Sequence, residues 1–493
     1  MQFDYDILFI GAGPAGYVGA IRSSQLGLKT AVVEGDKLGG VCLNIGCIPS
    51  KALIEQANRY SELEELKKLG ITFDTAGFDY SKVQGFSRTA ADRLSKGVDF
   101  LLKKNKVDVL SGMAQLIDKN TLVVNDGEGK ELKRVSAFAI VLATGSRPRQ
   151  ISGFEFDEQV VLSSTGILMM KELPKRLIIL GAGAIGMEFA YIMSSFGVQV
   201  EVVEMLDRIL PMEDEDVSSA LKTVFEKRGV RFYTGMKALS LGRNEAGTLQ
   251  LSIEPAQGSQ QALDAAAKDG STQNSPGPLI LEGDKLLVST GRSPNTDTLA
   301  LETLGIKLDR GYVTVHDYYE TEAQSIYAVG DIVAGEPQLA HVASAQAELV
   351  AERVAYILGK GQNPRRTRIE KQFIPQAVYC EPQVASFGSK EQELRKNGIS
   401  YKSSAFPFRA IGKAVATGHP EGFVKVLTDP STGEILGASI LGSGATELIH
   451  ELLLASQNEL TVEEIADMIH AHPTLSEGVK EGALSALDRA IHV

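Results

Sequence analysis

The sequence predicts an α/β fold with two Rossmann-like domains, followed by a C-terminal α+β domain. Three observations support this fold class. A strand, a glycine-rich turn and a helix follow one another twice along the chain, and the last third mixes alternating strands with amphipathic helices. The chain also has 493 residues, and because one domain holds about 150 residues, several domains are expected.

The first glycine-rich turn lies close to the N-terminus. YDILFI (residues 5–10) predicts a buried strand, and GAGPAG follows it directly. Gly11 permits the tight turn, Gly13 lets the backbone approach a pyrophosphate, and Gly16 permits close helix packing. The next strand ends at Glu34, whose carboxylate is suited to accept hydrogen bonds from ribose hydroxyls. This pattern predicts a dinucleotide site.

The second turn repeats the first. RLIIL (residues 176–180) precedes GAGAIG, whose glycines are Gly181, Gly183 and Gly186, and the next strand ends at Glu204. The first glycine and the acidic residue are 23 positions apart in both copies. A carboxylate at Glu204 repels a 2'-phosphate, and no Arg lies beside it, so the second site is predicted to prefer NAD over NADP.

The remaining segments define the predicted domain boundaries. AIVLATGSRP (139–148) and KLLVSTGRSPN (285–295) are each predicted to be a strand that ends in a turn, and NPRRTR (363–368) a polar linker. The predicted domains are 1–148, 149–283, 284–360 and 361–493. Residues 255–278 hold one large apolar side chain, Leu263, and are predicted to form a flexible surface insertion between two strands.

Charge and composition exclude several classes of function. A net charge of -12, with no run of Lys or Arg longer than two, argues against nucleic acid and anionic membranes as partners. No apolar stretch has the roughly 20 residues that span a bilayer, and no secretory leader precedes the first strand. We therefore expect a cytoplasmic protein. Its three cysteines are too few for a secreted disulfide framework.

Two of these cysteines are close in sequence. In GGVCLNIGCIPSKAL (39–53), Cys42 and Cys47 are separated by four residues, with no His nearby to complete a metal site. Cys47 is predicted to begin a helix, and Lys51 lies one turn later. Both the helix N-terminus and the lysine favour a thiolate. A redox role is the better interpretation, although two unrelated buried thiols remain an alternative.

A second reactive group is expected near the C-terminus, in HAHPTLSE (470–477). His472 is suited to take a proton from a thiol and Glu477 to fix its tautomer, and a cis bond before Pro473 is expected to aim the ring. The two histidines of the segment are alternatively surface residues or an adventitious metal pair. No metal cofactor is predicted.

These motifs resemble those of the flavoprotein disulfide reductase family, and HAHPTLSE is most similar to the family's lipoamide branch. The resemblance runs from Tyr5 to the last helix, apart from the insertion. It implies that Cys42 meets the substrate, that Cys47 lies beside the flavin, and that His472 with Glu477 forms the acid/base pair. It also implies that the C-terminal domain dimerises and that its histidine reaches the disulfide of the other subunit.

The resemblance further implies which residues contact the cofactors. Lys51 and Glu188 correspond to an ion pair next to the flavin. The residues expected to bind FAD are Gly11, Gly13, Gly16, Glu34, Lys51, Thr144, Gly145, Ser146, Gly330 and Asp331, and those expected to bind NAD are Gly181, Gly183, Gly186, Glu204 and Gly291.

The expected activity is oxidation of protein-bound dihydrolipoyl groups through the cysteine pair and FAD to NAD+, by a homodimer. The lipoyl group would be carried by a 2-oxoacid dehydrogenase acyltransferase or a glycine-cleavage carrier protein. Another disulfide reductase of the family is one alternative, but Glu204 opposes an NADPH-dependent glutathione-type enzyme, and a mercuric reductase needs an additional C-terminal cysteine pair. A non-catalytic flavin-binding subunit is the other alternative, which retention of both cysteines and His472 disfavours.

Overall fold

The computed structural model of the chain describes residues 2–259 and 278–492. The chain divides into two compact units. The first comprises Met1–Ala52, Lys82–Arg149 and Gly291–Ile369, and the second comprises Leu53–Ser81, Gln150–Thr290 and Glu370–Val493. Both units combine sheets with helices, so the predicted α/β class is confirmed.

The strands follow the predicted order along the chain. They are β1 (Tyr5–Ile10), β2 (Thr30–Glu34), β3 (Asp108–Ser111), β4 (Met113–Leu116), β5 (Thr121–Asn125), β6 (Glu131–Leu142), β7 (Ser146–Pro148), β8 (Val161–Leu162), β9 (Arg176–Leu180), β10 (Gln199–Glu204), β11 (Arg231–Thr234), β12 (Met236–Arg243), β13 (Leu249–Pro255), β14 (Leu279–Gly283), β15 (Lys285–Val288), β16 (Arg292–Pro294), β17 (Leu308–Asp309), β18 (Tyr312–Val313), β19 (Ile326–Ala328), β20 (Gln376–Val378), β21 (Gln383–Gly388), β22 (Lys402–Pro407), β23 (Phe423–Thr428) and β24 (Ile435–Gly442).

The α-helices in the described residues lie between these strands. They are α1 (Pro14–Gln25), α2 (Gly40–Ile45), α3 (Cys47–Lys68), α4 (Tyr80–Lys104), α5 (Ser164–Met169), α6 (Ala184–Ser195), α7 (Glu215–Lys227), α8 (Ala340–Ile357), α9 (Glu391–Asn397), α10 (Gly412–Ala416), α11 (Ala445–Gln457), α12 (Val462–Asp467) and α13 (Glu477–Ala486).

The first unit is organised around a parallel sheet with the strand order β3-β2-β1-β6. The long strand β6 is shared, because its second half pairs in parallel with β1 and β19 while its first half pairs antiparallel with β5. The successive side chains Leu8 and Phe9 of β1 point to opposite faces and are both fully buried, as expected for a strand covered on both faces. The glycine-rich turn therefore begins at the carboxyl end of a central strand.

The second unit repeats this plan and adds another sheet. Its parallel sheet has the order β11-β10-β9-β15-β8, and β12, β13 and β14 form an antiparallel sheet. The C-terminal part contributes the antiparallel sheet β20-β21-β24-β23-β22. Side chains of α11 and α13, including Ile449 and Val479, join those of this sheet in one buried core. This core holds the ends of the segment that carries His472.

Two sequence predictions change in detail. Strand β15 pairs with β9 and β8, so the domain boundary placed between residues 283 and 284 has to move beyond this strand. The predicted insertion 255–278 does lie between two strands, because β13 and β14 pair antiparallel. Residues 260–277, however, lie outside the described residues.

In the described ranges, every helix is too short or too polar to cross a lipid bilayer.

Candidate active site

The two glycine-rich turns have the same internal geometry. Gly11 has a φ of +101° and Gly181 a φ of +104°, a left-handed backbone that favours glycine. A Cβ atom at Gly16 would lie 1.7 Å from the carbonyl oxygen of Gly11, and one at Gly186 would lie 2.0 Å from that of Gly181. Only glycine fits at these four positions, which agrees with a backbone shaped for a dinucleotide pyrophosphate.

The acidic residues that follow the turns are also equivalent. Glu34 accepts hydrogen bonds from the backbone N–H groups of Ala12 (2.7 Å) and Asp36 (2.9 Å). Glu204 accepts from those of Ala182 (2.8 Å) and Leu206 (2.9 Å). Each carboxylate oxygen keeps a further lone pair, so both residues fit a role in binding ribose hydroxyls.

The faces of the two turns differ. At the first turn, the N–H of Gly39 donates to the carbonyl of Ala12 (2.9 Å), and Gly40 Cα lies 4.0 Å from where a Cβ of Gly13 would be. At the second turn, no described atom lies within 4 Å of a Cβ built on Gly183. The first turn is therefore packed against the cysteine segment, whereas Gly183 offers an open face to a ligand.

The cysteine segment contains more helix than the sequence indicated. Cys42 lies in the short helix α2, so the interval between the cysteines is not simply a loop. Gly46 ends this helix, and α3 begins at Cys47, as predicted. The amide of Asn44 holds the turn by donating to the carbonyls of Leu38 (3.0 Å) and Gly40 (2.9 Å).

The two cysteines are reduced and partly buried, and the pKa of the Cys42 thiol is strongly shifted. A hydrogen bond with Cys47 raises the pKa of the Cys42 thiol most strongly, and burial and negative charge on Cys47 raise it further. Lys51 opposes these effects. In the reduced pair, Cys42 therefore keeps its proton. A protonated Cys42 agrees with the different roles predicted for the two residues.

The third cysteine lacks the features of a reactive thiol. Cys380 is fully buried, and burial raises its pKa well above the ordinary value of a thiol. Its Sγ donates to the carbonyl of Pro382 (3.3 Å). Because a thiol is a poor nucleophile while it stays protonated, Cys380 has no role in the exchange chemistry.

The predicted partner of Lys51 lies in the other compact unit. Glu188 is buried on α6, where its carboxylate accepts a hydrogen bond from the backbone N–H of Tyr379 (3.1 Å). Lys51 is on α3, one helical turn after Cys47. The ion pair between Lys51 and Glu188 stays a prediction.

The predicted flavin contacts after β6 and β19 belong to one polar network. Ser146 donates through its hydroxyl to Oδ2 of Asp331 (2.5 Å). The hydroxyl of Thr144 donates to the carbonyl of Asn295 (2.5 Å). The N–H of Gly330 donates to the side chain of the buried Gln346 (2.7 Å). The network fixes the carboxylate of Asp331 in place, which fits its predicted role in binding FAD.

Arg292 is a component of this network that the sequence analysis missed. Its guanidinium donates to both the hydroxyl and the carbonyl of Ser146 (2.6 Å each), and it lies 3.9 Å from Asp331. Burial lowers the pKa of Arg292, while the charges of Asp331 and Cys47 act in the opposite direction. The one signal in the sequence is that Arg292 directly follows Gly291 in GRSPN.

Gly291 lies in the first unit, not in the unit of the second glycine-rich turn. It has a φ of +121°, and the guanidinium carbon of Arg149 is 3.7 Å from where its Cβ would be. Its predicted contact with NAD stays a prediction.

The predicted acid/base pair near the C-terminus is assembled. Nδ1 of His472 lies 2.8 Å from Oε1 of Glu477, and the N–H of Thr474 donates to the other carboxylate oxygen (2.9 Å). The Thr474 N–H lowers the pKa of Glu477 most; burial opposes this, and the hydrogen bond from His472 lowers it further. The His472–Pro473 peptide bond is cis. An ionised Glu477 holds a proton on Nδ1, so Nε2 is the atom left to exchange protons.

His472 is also accessible, since 76% of its side chain is exposed. Among the described residues, no group of three or more His, Cys, Asp or Glu side chains is arranged to hold a metal ion. The exposed ring therefore has the position expected of a proton acceptor for a group from outside this chain.

Family models match nearly the whole chain. The pyridine nucleotide-disulphide oxidoreductase model matches residues 5–347, and the dimerisation domain of the same family matches residues 374–483.

Curated relatives and solved structures point the same way. The dihydrolipoyl dehydrogenase of Bacillus subtilis (strain 168) is 39% identical, with all of both chains covered. That of Mycobacterium tuberculosis (strain CDC 1551 / Oshkosh) is 41% identical over 97% of each chain. Among structures, LpdA from Mycobacterium tuberculosis has a TM-score of 0.84 at 28% identity and covers 97% of this chain and 98% of its own. The HOCl-induced flavoprotein disulfide reductase RclA from Escherichia coli, as its Cu(II) complex, has a TM-score of 0.82 at 26% identity, covering 98% and 99%.

Proposed function

The chain belongs to the pyridine nucleotide-disulphide oxidoreductase family, and from this membership we propose that it oxidises dihydrolipoyl groups to lipoyl groups with NAD+ as the final acceptor. This is the activity named for its curated relatives. The chain is an oxidoreductase that uses FAD and NAD. The observation that carries the proposal is the hydrogen-bonded pair of thiols formed by Cys42 on α2 and Cys47 at the start of α3.

The first half of the reaction is a thiol–disulfide exchange. His472 takes the proton of one dihydrolipoyl thiol, and the resulting thiolate attacks Sγ of Cys42 in the oxidised pair. The Cys42–Cys47 bond breaks and Cys47 leaves as a thiolate. The second dihydrolipoyl thiol then attacks the first lipoyl sulfur, which breaks the mixed disulfide between that sulfur and Cys42. Cys42 leaves as a thiolate and takes up the proton of the second thiol, and the lipoyl disulfide is released. The substrate loses two electrons and the cysteine pair gains them.

The different environments of the two cysteines support this division of roles. Cys47 is stabilised as a thiolate by the start of α3 and by Lys51, so it is the better leaving group. Cys42 keeps its proton and is freed for the next exchange. When bound, FAD supplies two-electron transfer from the reduced pair to NAD+.

The two glycine-rich turns divide the cofactors between them. The turn at Gly11 to Gly16, with Glu34 and the Ser146–Asp331 network, is proposed to hold FAD, and the turn at Gly181 to Gly186, with Glu204, to hold NAD. Arg208, four residues beyond Glu204, is occupied by Glu215 (3.1 Å) and the carbonyl of Pro211 (2.9 Å). A 2'-phosphate would thus meet a carboxylate without this arginine to offset it.

The active form is proposed to be a homodimer. The C-terminal part matches the family's dimerisation domain, and the exposed ring of His472 is suited to reach the cysteine pair of a second copy. The substrate is proposed to be the lipoyl group of a 2-oxoacid dehydrogenase acyltransferase or of a glycine-cleavage carrier protein. We further propose that the enzyme acts in the cytoplasm, without nucleic acid or membrane partners.

Steady-state NADH formation from dihydrolipoamide and NAD+ tests the function. Cys42→Ser and Cys47→Ser should each lower the rate at least about 1000-fold, because each removes one sulfur of the exchange pair. Cys380→Ser is the matched control and should keep the wild-type rate, since this buried thiol is not used. A cysteine-pair variant that retains a tenth of the wild-type rate would contradict the proposal.

The same assay separates the alternatives. A glutathione-type reductase would turn over glutathione disulfide with NADPH faster than dihydrolipoamide with NAD+. A non-catalytic flavin-binding subunit would show neither rate while still binding FAD.

A further inference from the structure

The segment that carries His472 holds a second histidine with the opposite exposure. The side chain of His470 is 2% exposed, whereas that of His472 is 76% exposed. Its Nε2 lies 2.7 Å from Oε1 of Glu451, and its Nδ1 lies 3.1 Å from the carbonyl oxygen of Met468. The ring is therefore fixed at both nitrogens.

Both neighbours of the His470 ring are hydrogen-bond acceptors. A backbone carbonyl and an ionised carboxylate have no proton to donate, and a neutral imidazole carries only one N–H group. Both hydrogen bonds can form together only when each ring nitrogen bears a proton. The geometry therefore fits a positively charged imidazolium paired with Glu451, a charge that burial requires to be compensated.

The contact ties the active-site segment to a helix of the C-terminal core. Glu451 lies on α11, and residues 468–476 connect α12 to α13 without regular secondary structure. At the far end of this segment, Glu477 binds His472 and the backbone of Thr474. His472 is thus held between two fixed points, one on α11 and one at the start of α13.

We propose that His470 is a positioning residue for the dihydrolipoyl reaction, because as an imidazolium paired with Glu451 it fixes the backbone next to His472 and so the direction of the acid/base ring. This inference rests on the function proposed above. The role needs an ion pair in this place because apolar packing would not fix the ring at two defined points. Among the described residues, Glu451 on α11 and Glu477 on α13 interact with His470, and the charge of His470 contributes to lowering the pKa of Glu477.

The kinetic test compares His470→Gln, Glu451→Gln and the double variant with the wild-type enzyme. Each single variant should lower kcat for dihydrolipoamide oxidation by roughly 10- to 100-fold, the usual effect of losing a group that orients a catalytic side chain. The double variant should be no worse than the singles, because both remove one shared contact. NADH-dependent reduction of ferricyanide needs no exchange of thiols and should stay within twofold of wild type.

The exposed neighbour His450 gives a matched control. It precedes Glu451 on α11, its Nδ1 lies 3.2 Å from the carbonyl of Glu447, and it faces solvent. His450→Gln should leave both reactions unchanged. If His470→Gln kept the wild-type rate with dihydrolipoamide, or lost both reactions equally, or combined additively with Glu451→Gln, the positioning role would be wrong.

A spectroscopic measurement tests the pair independently of the proposed function. In protein labelled with 15N at histidine, the His470 signals, identified by their loss in His470→Gln, should be those of a doubly protonated ring at pH 7.5. Glu451→Gln should abolish this signature. A wild-type enzyme without dihydrolipoamide activity would overturn the proposed function while leaving this result intact, whereas a singly protonated ring would overturn the inference.

Discussion

The two glycine-rich turns are almost the same structure, but the chain that follows them differs. In each copy, a residue about 28 positions after the turn donates its N–H to the turn: Gly39 to Ala12 and Leu210 to Ala182, both at 2.9 Å. After Gly39 the first copy forms the helix with Cys42. After Leu210 the second copy presents an acidic segment that includes Asp214. The two copies therefore share the structure of the glycine-rich turn and differ in the segment that packs against it.

The acidic segment of the second copy belongs to a buried ion cluster. Lys425, which is 2% exposed, lies 2.9 Å from Asp216, 2.6 Å from Glu391 and 3.5 Å from Asp214. Asp214 in turn accepts a hydrogen bond from Ser439 (2.6 Å). Where the first copy places a redox pair, the second copy has an electrostatic contact with strands β23 and β24 of the C-terminal sheet. The segment after the first turn therefore carries the cysteine pair, and the segment after the second turn forms ion pairs with the C-terminal sheet.

The largest effect is expected from a substitution of Lys425, which breaks the buried ion cluster. Lys425→Met removes the buried cation that Asp214 and Glu391 share, and losing one partner of a buried ion pair costs about 3–5 kcal/mol. We expect the free energy of unfolding to fall by this amount in denaturant titrations of the flavin-loaded enzyme, with the wild-type spectrum retained in the folded fraction. A loss below 1 kcal/mol would show that the cluster does not stabilise the fold.

The loss of unfolding free energy in Lys425→Met should depend on pH. Burial by itself raises the pKa of Glu391, but the hydrogen bond and the charge of Lys425 outweigh it, so the folded pKa is below 4.5. Stability from this lowered pKa is present above the unfolded value and is lost as the pH falls through the folded value. The difference between wild type and Lys425→Met should therefore be constant from pH 7 down to about 5 and shrink as the pH is lowered from about 5 to about 3. A difference that stays constant over the whole range would contradict the ion-pair explanation.

The next largest effects are expected from alanine substitutions in the two glycine-rich turns, which should impair the binding of different cofactors. A methyl group at Gly16 would lie 1.7 Å from a backbone carbonyl, and one at Gly186 would lie 2.0 Å from another. Gly16→Ala should lose most of its bound flavin, whereas Gly186→Ala should keep its flavin but lose roughly 100-fold in NAD-dependent turnover, as a displaced binding loop does. Flavin absorbance and calorimetry with NAD measure these outcomes.

Gly242→Ala is the matched control for both substitutions. It lies on β12, and no described atom lies within 4 Å of its added Cβ. If Gly186→Ala lost its flavin and kept its affinity for NAD, the assignment of the two sites would be reversed.

The smallest effect concerns the choice of nucleotide. Glu204→Gln keeps the size of the side chain but removes the charge that repels a 2'-phosphate, so the preference for NAD over NADP should fall by about 10-fold, a typical value for a charged hydrogen-bonding group. Glu34→Gln makes the same change at the first turn and should leave the preference unchanged. The ratio of kcat/KM for the two nucleotides decides between these outcomes, and an equal shift in both variants would contradict separate sites.

Sequence patterns predicted the structural features that depend on residues close together in the chain. The central strands, both glycine-rich turns, the start of α3 at Cys47 and the contact between His472 and Glu477 follow from periodicity and short spacings. These features depend on neighbours within a few residues, or on a repeated unit whose second copy confirms the first.

The features that the sequence did not reveal join distant segments. Arg292 contacts Ser146 and Asp331, and Lys425 pairs with Asp214, which lies more than 200 positions earlier in the sequence. From the sequence, His470 fits only the alternative of a surface residue or one of an adventitious metal pair, because its partner on α11 has no fixed spacing from it. Single-chain periodicity carries no information about such pairings, which depend on how sheets and helices pack.

The proposed function requires an asymmetric cysteine pair, with Cys47 as the thiolate beside the flavin and Cys42 as the thiol that meets the substrate. The most direct test is the visible spectrum of flavin-loaded Cys42→Ser and Cys47→Ser between pH 5 and 9. Cys42→Ser keeps the Cys47 thiolate and should show a long-wavelength absorption band, which arises when a thiolate lies against oxidised flavin, whereas Cys47→Ser should show none. A band in Cys47→Ser alone, or bands of equal strength in both variants, would contradict the assignment.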